Sequence, residues 1–274
     1  PSRPCRWDDH EPLTTYSEKI ARNIGYEVSV RRTDKVKYLS YMDEYFRQLH
    51  DKYRDTTIVS VEGLHQTYNA VRYISENNIP GSIVECGMFK GGCMAMMAET
   101  SMKFSEAPRD FYLFDTFAGM TEPGPEDFRP KDPTTKDHVL DTFKRQQRDD
   151  HNEWVYSPLS EVKATLARTA IPEDRFTYVV GPVEDTLPCD GIGEIALLRL
   201  DTDWYSSTRH ELEHLYDLVV EDGVIIVDDY KNWAGSRRAV EEFLEERNLS
   251  PLRFFTHGRL AFIKTRSLRN RRVG

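Results

Sequence analysis

Ser82-Ile-Val-Glu-Cys-Gly-Met-Phe-Lys-Gly-Gly-Cys93 joins a five-residue apolar run to a glycine-bearing turn and then to a helix-compatible segment, Gly92 to Phe104. A short continuous apolar run, rather than an alternating one, suits a parallel strand buried on both faces. The same rhythm repeats downstream. Strand-like runs at Phe111 to Phe114, Phe176 to Val180, Ile195 to Leu200 and Val224 to Val227 alternate with helical segments at Leu159 to Thr169, Ser206 to Val220 and Ser236 to Arg247. That order predicts an α/β, doubly wound, mostly parallel sheet. Leu252 to Thr256 and Leu260 to Lys264, separated by His257-Gly258-Arg259, predict an antiparallel hairpin that brings the sheet to seven strands.

Upstream, Glu62 to Asn77 reads as a helix ended by Asn78-Ile-Pro-Gly81, and Val36, Leu39, Met42, Phe46, Leu49 and Tyr53 fall on one helical face of residues 34–54. Residues 1–57 therefore read as an irregular extension and helical cap, and 58–274 as the main domain. Thr121 to Glu153 breaks the rhythm with Pro123, Pro125, Pro130 and Pro133 among many charges. A loop of that length is usually functional or disordered. It reads as a lid, with a loose surface excursion as the alternative.

Composition narrows the partners. The 274 residues carry 37 Lys and Arg against 46 Asp and Glu, a net charge of -9, which disfavours nucleic acid and acidic membrane surfaces. No apolar run reaches the roughly 18 residues of a membrane span, and Pro1 to Trp7 holds no apolar signal region. A cytoplasmic protein is expected. Cys5, Cys86, Cys93 and Cys189 form no C-x-x-C pair and read as reduced structural thiols.

In an open parallel sheet ligands bind beyond the carboxyl ends of the strands, and those ends are rich in acids: Glu85, Asp115, Asp201 with Asp203, and Asp228 with Asp229. The Gly87-x-x-x-Gly91-Gly92 turn admits a ligand close to the backbone, yet it is not the G-x-G-x-x-G phosphate fingerprint. Asp115 is placed to take the hydroxyls of a ribose, so together these features describe a nucleoside pocket without phosphates. If the strands before Asp201 and Asp228 are neighbours, their ends lie about 4.8 Å apart. Asp201, Asp228 and Asp229 would then converge and call for a hard divalent ion, Mg2+ with Mn2+ or Ca2+ as alternatives. The string His210-Glu-Leu-Glu-His214 matches a zinc-protease pattern, but Leu212, Leu215, Tyr216 and Val219 claim the buried side of that helix. His210 and His214 are therefore expected on its outer face. Lys264, Arg266, Arg269, Arg271 and Arg272 read as a solvated basic tail.

Four stretches resemble the macrocin O-methyltransferase family, the metal-dependent sugar O-methyltransferases of antibiotic biosynthesis. They are Ile79 to Gly92, Phe114 to Gly119, Leu197 to Thr208 and Asp228 to Val240, within a resemblance running from about Thr57 to Lys264. The resemblance implies a class I methyltransferase-like fold and S-adenosylmethionine held by the first two stretches. These supply Glu85, Gly87, Met88, Phe89, Gly91, Gly92, Asp115, Thr116 and Phe117, with Ser60 a weaker candidate. It also implies Asp201, Asp228 and Asp229 as metal ligands, a glycoside hydroxyl as methyl acceptor, and a homo-oligomer. Asp201 is the first candidate for proton acceptor and Asp203 the second. Val183 departs from the family, which generally shows an aromatic there. Two rivals stand beside this reading: a catechol-type diol O-methyltransferase, and a nicotinamide-dependent oxidoreductase on a similar sheet. The second is disfavoured by the missing glycine fingerprint and the lack of a Tyr-x-x-x-Lys pair.

Overall fold

A computed structural model describes residues 39–130 and 136–265. Cys5, Val36 and Arg266 to Arg272 lie outside the described residues.

Seven strands form one sheet in the order β3-β2-β1-β4-β5-β7-β6. They are β1 (Ser82–Cys86), β2 (Phe111–Asp115), β3 (Phe176–Val180), β4 (Ile195–Leu200), β5 (Val219–Val227), β6 (Arg253–Thr256) and β7 (Arg259–Ile263). The first five are parallel; β7 runs antiparallel to β5, and β6 to β7. Every residue of β1 and β4 is buried, which is why their sequences are continuous apolar runs. The chain reverses direction of travel at β1, which pairs with both β2 and β4. That switch point opens the crevice where an α/β sheet binds ligands.

Helices cover both faces. On one lie α1 (Glu44–Tyr53), α2 (Val61–Glu76), α3 (Gly92–Phe104) and α5 (Leu159–Leu166), burying Phe46, Leu64, Val71, Met94, Val162 and Leu166 against Ile83, Leu113 and Leu197. On the other, α7 (Tyr205–Leu215) and α8 (Ala234–Glu246) bury Leu212, Phe243 and Leu244 against Leu198, Ile225 and Phe262. The short α6 (Val183–Thr186) lies between β3 and β4.

The expected helical face over 34–54 is interrupted. Leu39 and Met42 join the core, but α1 begins only at Glu44, because the Asp43 side chain accepts the Phe46 N–H at 2.9 Å and caps the helix there. Helix α2 starts in the same way, with Ser60 accepting from Gly63. The segment read as an irregular lid contains a helix, α4 (Lys136–Gln146), and an isolated bridge from Gln147 to Asn152. Its proline-rich first part packs down: Ala234 N–H donates to Phe128 O at 2.8 Å and Trp204 Nε1 to Thr121 O at 3.0 Å. Lys264 is no solvated tail residue either, since its Nζ donates to Val219 O at 2.6 Å and Tyr216 O at 3.0 Å. Cys86, Cys93 and Cys189 are unpaired thiols.

Candidate active site

The crevice at the carboxyl end of the sheet is lined from the ends of the five parallel strands and by Thr121, Trp154 and Val155 of the segment that follows β2. At the end of β1, Gly87 turns with φ of +89°, and a Cβ there would stand 2.1 Å from Asp201 O. Only glycine lets the ends of β1 and β4 approach this closely, and Asp201 N–H bonds to Cys86 O at 2.8 Å across the gap. The turn is then locked to β2: Met88 N–H donates to Asp115 Oδ2 at 2.5 Å and Phe117 N–H to Asp115 Oδ1 at 2.7 Å. Burial pushes the Asp115 carboxyl up, and these N–H donors pull it back.

Glu85, Gly87, Met88, Phe89, Asp115 and Thr116 line the cavity together with Asp201, Asp203, Asp228 and Asp229. Val183 lines it as well, at the position where the resemblance calls for an aromatic. Other residues expected in the cofactor site have different positions. Gly91 caps α3 in the left-handed region, and Gly92 packs so tightly that a Cβ would sit 2.6 Å from Thr56 O. Phe117 is buried behind the turn. Ser60 caps α2 and accepts from Arg259 Nη1 at 3.2 Å. These four shape the pocket from outside its lining.

The expected adjacency of β4 and β5 is present, with Leu200 opposite Val227. Asp201 and Asp228 thus emerge side by side, and ligand oxygens of Asp201, Asp228 and Asp229 all lie within 4.8 Å of one another. Arg199, wholly buried, accounts for how such acids fold together. Its Nη1 donates to Glu85 Oε1 at 2.8 Å and Asp201 Oδ2 at 2.6 Å, and its Nη2 donates to Asp228 Oδ1. From the terminal hairpin Arg259 Nε reaches the same Asp228 oxygen at 2.7 Å. Burial alone drives the Asp228 carboxyl up, but Arg259 and Arg199 together hold it below the ordinary range. Asp201 and Asp229 are pushed well above theirs by burial first; the charges of Asp228 and Asp229 add to this at Asp201, where Arg199 only partly offsets it, and those of Asp203 and Asp228 add to it at Asp229. Burial and the charge of Asp201 push Asp203 up to about 7; burial does the same to Glu85 despite Arg199.

Two guanidiniums face Glu85, Asp201, Asp203, Asp228 and Asp229, so the acids remain in excess. Asp229 Oδ2 is buried with no hydrogen-bond partner. An orphaned carboxylate oxygen beside two further carboxylates fits an oxygen-liganded dication. Asp203 touches the trio through Asp229, is also engaged by Trp233, and has a left-handed backbone, φ +70°.

Two tryptophans, Trp154 and Trp233, wall the cavity and pack edge-to-face with each other and with the fully buried Trp204, ring centroids 5.0 to 6.2 Å apart. Arg129 stacks over Trp233 at 5.0 Å. Val155 beside it has φ of +54°, an outlier for a β-branched residue. His210 and His214 lie outside the cavity lining. Their rings meet at 4.3 Å and His210 Nε2 lies 3.2 Å from Leu187 O, while Glu211 between them is fully buried. Arg199, Arg259, Glu211 and the tryptophan wall were not anticipated from sequence. For Arg199 a signal existed, a lone charge within the apolar run Leu197-Leu-Arg-Leu200; for Arg259 none did.

The family model of macrocin O-methyltransferase (TylF) matches residues 6–253. The chain belongs to this family. Curated relatives include the 8-demethyl-8-(2,3-dimethoxy-alpha-L-rhamnosyl)-tetracenomycin-C 4'-O-methyltransferase of Streptomyces olivaceus, 30% identical over 64% of this chain and 62% of that protein. The mycinamicin III 3''-O-methyltransferase of Micromonospora griseorubida is 26% identical over 71% of this chain and 72% of that protein. The chain thus spans 62% of the length of the first relative. Among solved structures the O-methyltransferase NovP superimposes with a TM-score of 0.67 at 24% identity, covering 80% of this chain and 88% of that one. The NovP likeness supports the α/β methyltransferase fold. Among the described residues no helix is long and apolar enough to cross a membrane.

Proposed function

We propose that this protein is an S-adenosylmethionine-dependent O-methyltransferase that methylates a sugar hydroxyl of a glycoside, with a hard dication held by Asp201, Asp228 and Asp229. The observation that carries this reading is the carboxylate trio, with its orphaned Asp229 oxygen, opening into the same cavity as the phosphate-free glycine turn. Family membership supports methyl transfer, and the printed activities of the relatives on glycosylated antibiotics support a sugar acceptor. When bound, the cofactor supplies a methyl group on a sulfonium, and the dication acidifies a hydroxyl it touches.

The chain's own residues do the rest. Gly87, Met88 and Asp115 shape the nucleoside side of the cleft. Arg199 and Arg259 fix Asp228 in one orientation and Arg199 fixes Asp201, so these carboxylates need little rearrangement on loading. Asp203 is the better proton acceptor of the two candidates, because Asp201 belongs to the trio and one of its oxygens is engaged by Arg199. General-base help of this kind is worth about 100- to 10,000-fold. Trp154, Trp233 and residues 121–130 and 136–153, acting as a lid, keep water from the sulfonium.

Mass spectrometry of a glycoside and catechol panel incubated with S-adenosylmethionine, with and without chelator, tests the reading. Methylated glycosides that disappear on chelation are expected; methylation of catechols alone, or chelator-insensitive turnover, overturns it. A thermal shift with S-adenosylhomocysteine and none with NAD separates it from the oxidoreductase reading.

A further inference from the structure

We propose that Asp127 and Glu211 are positioning residues, a two-sided clamp that holds Thr202, Asp203 and Trp204 so that Asp203 faces the acceptor. The inference rests on the reading of Asp203 as proton acceptor. The backbone of Asp203 is left-handed, φ +70°, a conformation that an aspartate keeps only when its neighbours over-determine it. Those neighbours are fixed from opposite sides.

From beneath, Thr202 Oγ1 donates to Glu211 Oε1 at 3.0 Å, and Glu211 is fully buried in α7. Burial drives its carboxyl well above the ordinary value, and the hydroxyl that Thr202 donates to it pulls the other way. From above, Asp127 belongs to the proline-rich segment and is 2% exposed. Its Oδ1 accepts the Tyr205 N–H at 2.8 Å, and its Oδ2 accepts the Gly124 N–H at 2.8 Å. Tyr205 is the first residue of α7, two beyond Asp203, and Trp204 offers that helix no side-chain cap. Asp127 therefore supplies from 78 residues away the cap that the local sequence lacks. The room for it is built in: a Cβ at Gly235, in the first turn of α8, would stand 1.8 Å from Asp127 Oδ1. Trp204 is pinned as well through Nε1 to Thr121 O. The ends of the Asp203 loop thus hang from two buried carboxyls, neither of which lines the cavity.

The test uses Thr202→Val, which deletes only the hydroxyl, and Asp127→Ala, paired with Thr202→Ser, Asp127→Asn and Glu211→Gln, which retain an acceptor or donor. Crystal structures of full-length protein with S-adenosylhomocysteine and Mn2+ are expected to keep Asp203 left-handed in the wild type and the conservative variants. In Thr202→Val and Asp127→Ala the aspartate should leave that region. With the best acceptor of the panel above, kcat should fall about 10- to 100-fold, the loss expected for a displacement of about 1 Å. The KM for cofactor and the Mn2+ affinity by calorimetry should stay within about twofold, and the conservative variants should restore turnover. The clamp is overturned if Asp203 stays in place in both disruptive variants, if their kcat is unchanged, or if Mn2+ affinity falls in step with kcat. Should no panel member be methylated by wild type, the proposed function fails, while the crystallographic comparison still decides the clamp.

Discussion

On the β1–β2 side of the cleft, Asp115 is satisfied by the backbone N–H groups of Met88 and Phe117. On the β4–β5 side, Asp201 and Asp228 lean on the guanidiniums of Arg199 and Arg259, and Asp229 is left with an oxygen unanswered. Fixed amide dipoles answer both oxygens of the acid on the first side, which suits the uncharged nucleoside proposed there. The second side keeps more carboxyls than guanidiniums, which suits the proposed cation. The two sides of the cleft thus differ in how each acid is answered.

The contrast breaks most severely at Arg199. Arg199→Met leaves the buried Glu85 and Asp228 and the half-buried Asp201 without their shared partner, and breaking buried pairs in this way costs about 3–5 kcal/mol. Urea unfolding should show that loss, and a change under about 1 kcal/mol would mean that the acids are neutral without it. At the hinge between the two sides, Gly87→Ala forces a Cβ onto Asp201 O at a left-handed position. A destabilisation of about 3 kcal/mol, near the top of the ordinary range, is expected by the same measurement, together with weakened S-adenosylhomocysteine binding.

A third test concerns Asp127, whose carboxyl burial pushes from 3.8 up to about 6 despite two backbone donors. The folded state then holds this proton more tightly than the unfolded chain. The stabilisation is full below pH 3.8 and lost as pH rises through 6. Between pH 7 and pH 4 the wild type should gain about 2 kcal/mol relative to Asp127→Asn; parallel stability curves for the two proteins would refute it. On the unbalanced side, Asp229→Asn should lower Mn2+ affinity at least about 100-fold in calorimetry, since even outer partners of a metal site are worth 10–100-fold. Unchanged affinity would remove the trio from the metal site. The smallest effect belongs to His210→Ala with His214→Ala, which should leave stability within about 0.5 kcal/mol and turnover intact. Loss of turnover restored by zinc would instead revive the protease-like reading of that helix.

The β1 and β4 boundaries were legible to the residue because strands buried on both faces show up as short, mostly apolar runs, and those of β3 and α3 matched as well, although β3 buries only Phe176. The convergence of Asp201 and Asp228 was legible once β4 and β5 were taken as neighbours. The counter-ions were not. Arg259 reads from sequence as part of the turn His257-Gly258-Arg259, but it opens β7, and only the tertiary fold brings it to Asp228. Helix α4 was hidden among prolines and charges, and α1 was read too long because periodicity does not reveal that Asp43 caps the helix. Gly91, Gly92, Phe117 and Ser60 belong to segments that do reach the cleft. Sequence proximity could not tell lining residues from those that brace them.

The position of Arg259 also bears on how the centre is assembled during synthesis. It lies beyond residue 253, where the match to the family model stops, and close to the last described strand. A nascent chain that has emerged only as far as Phe255 already carries every acid of the trio, but only one of the two arginines that restrain Asp228. Until the β6–β7 hairpin has emerged, Asp228 has one of its two counter-ions and lacks the other.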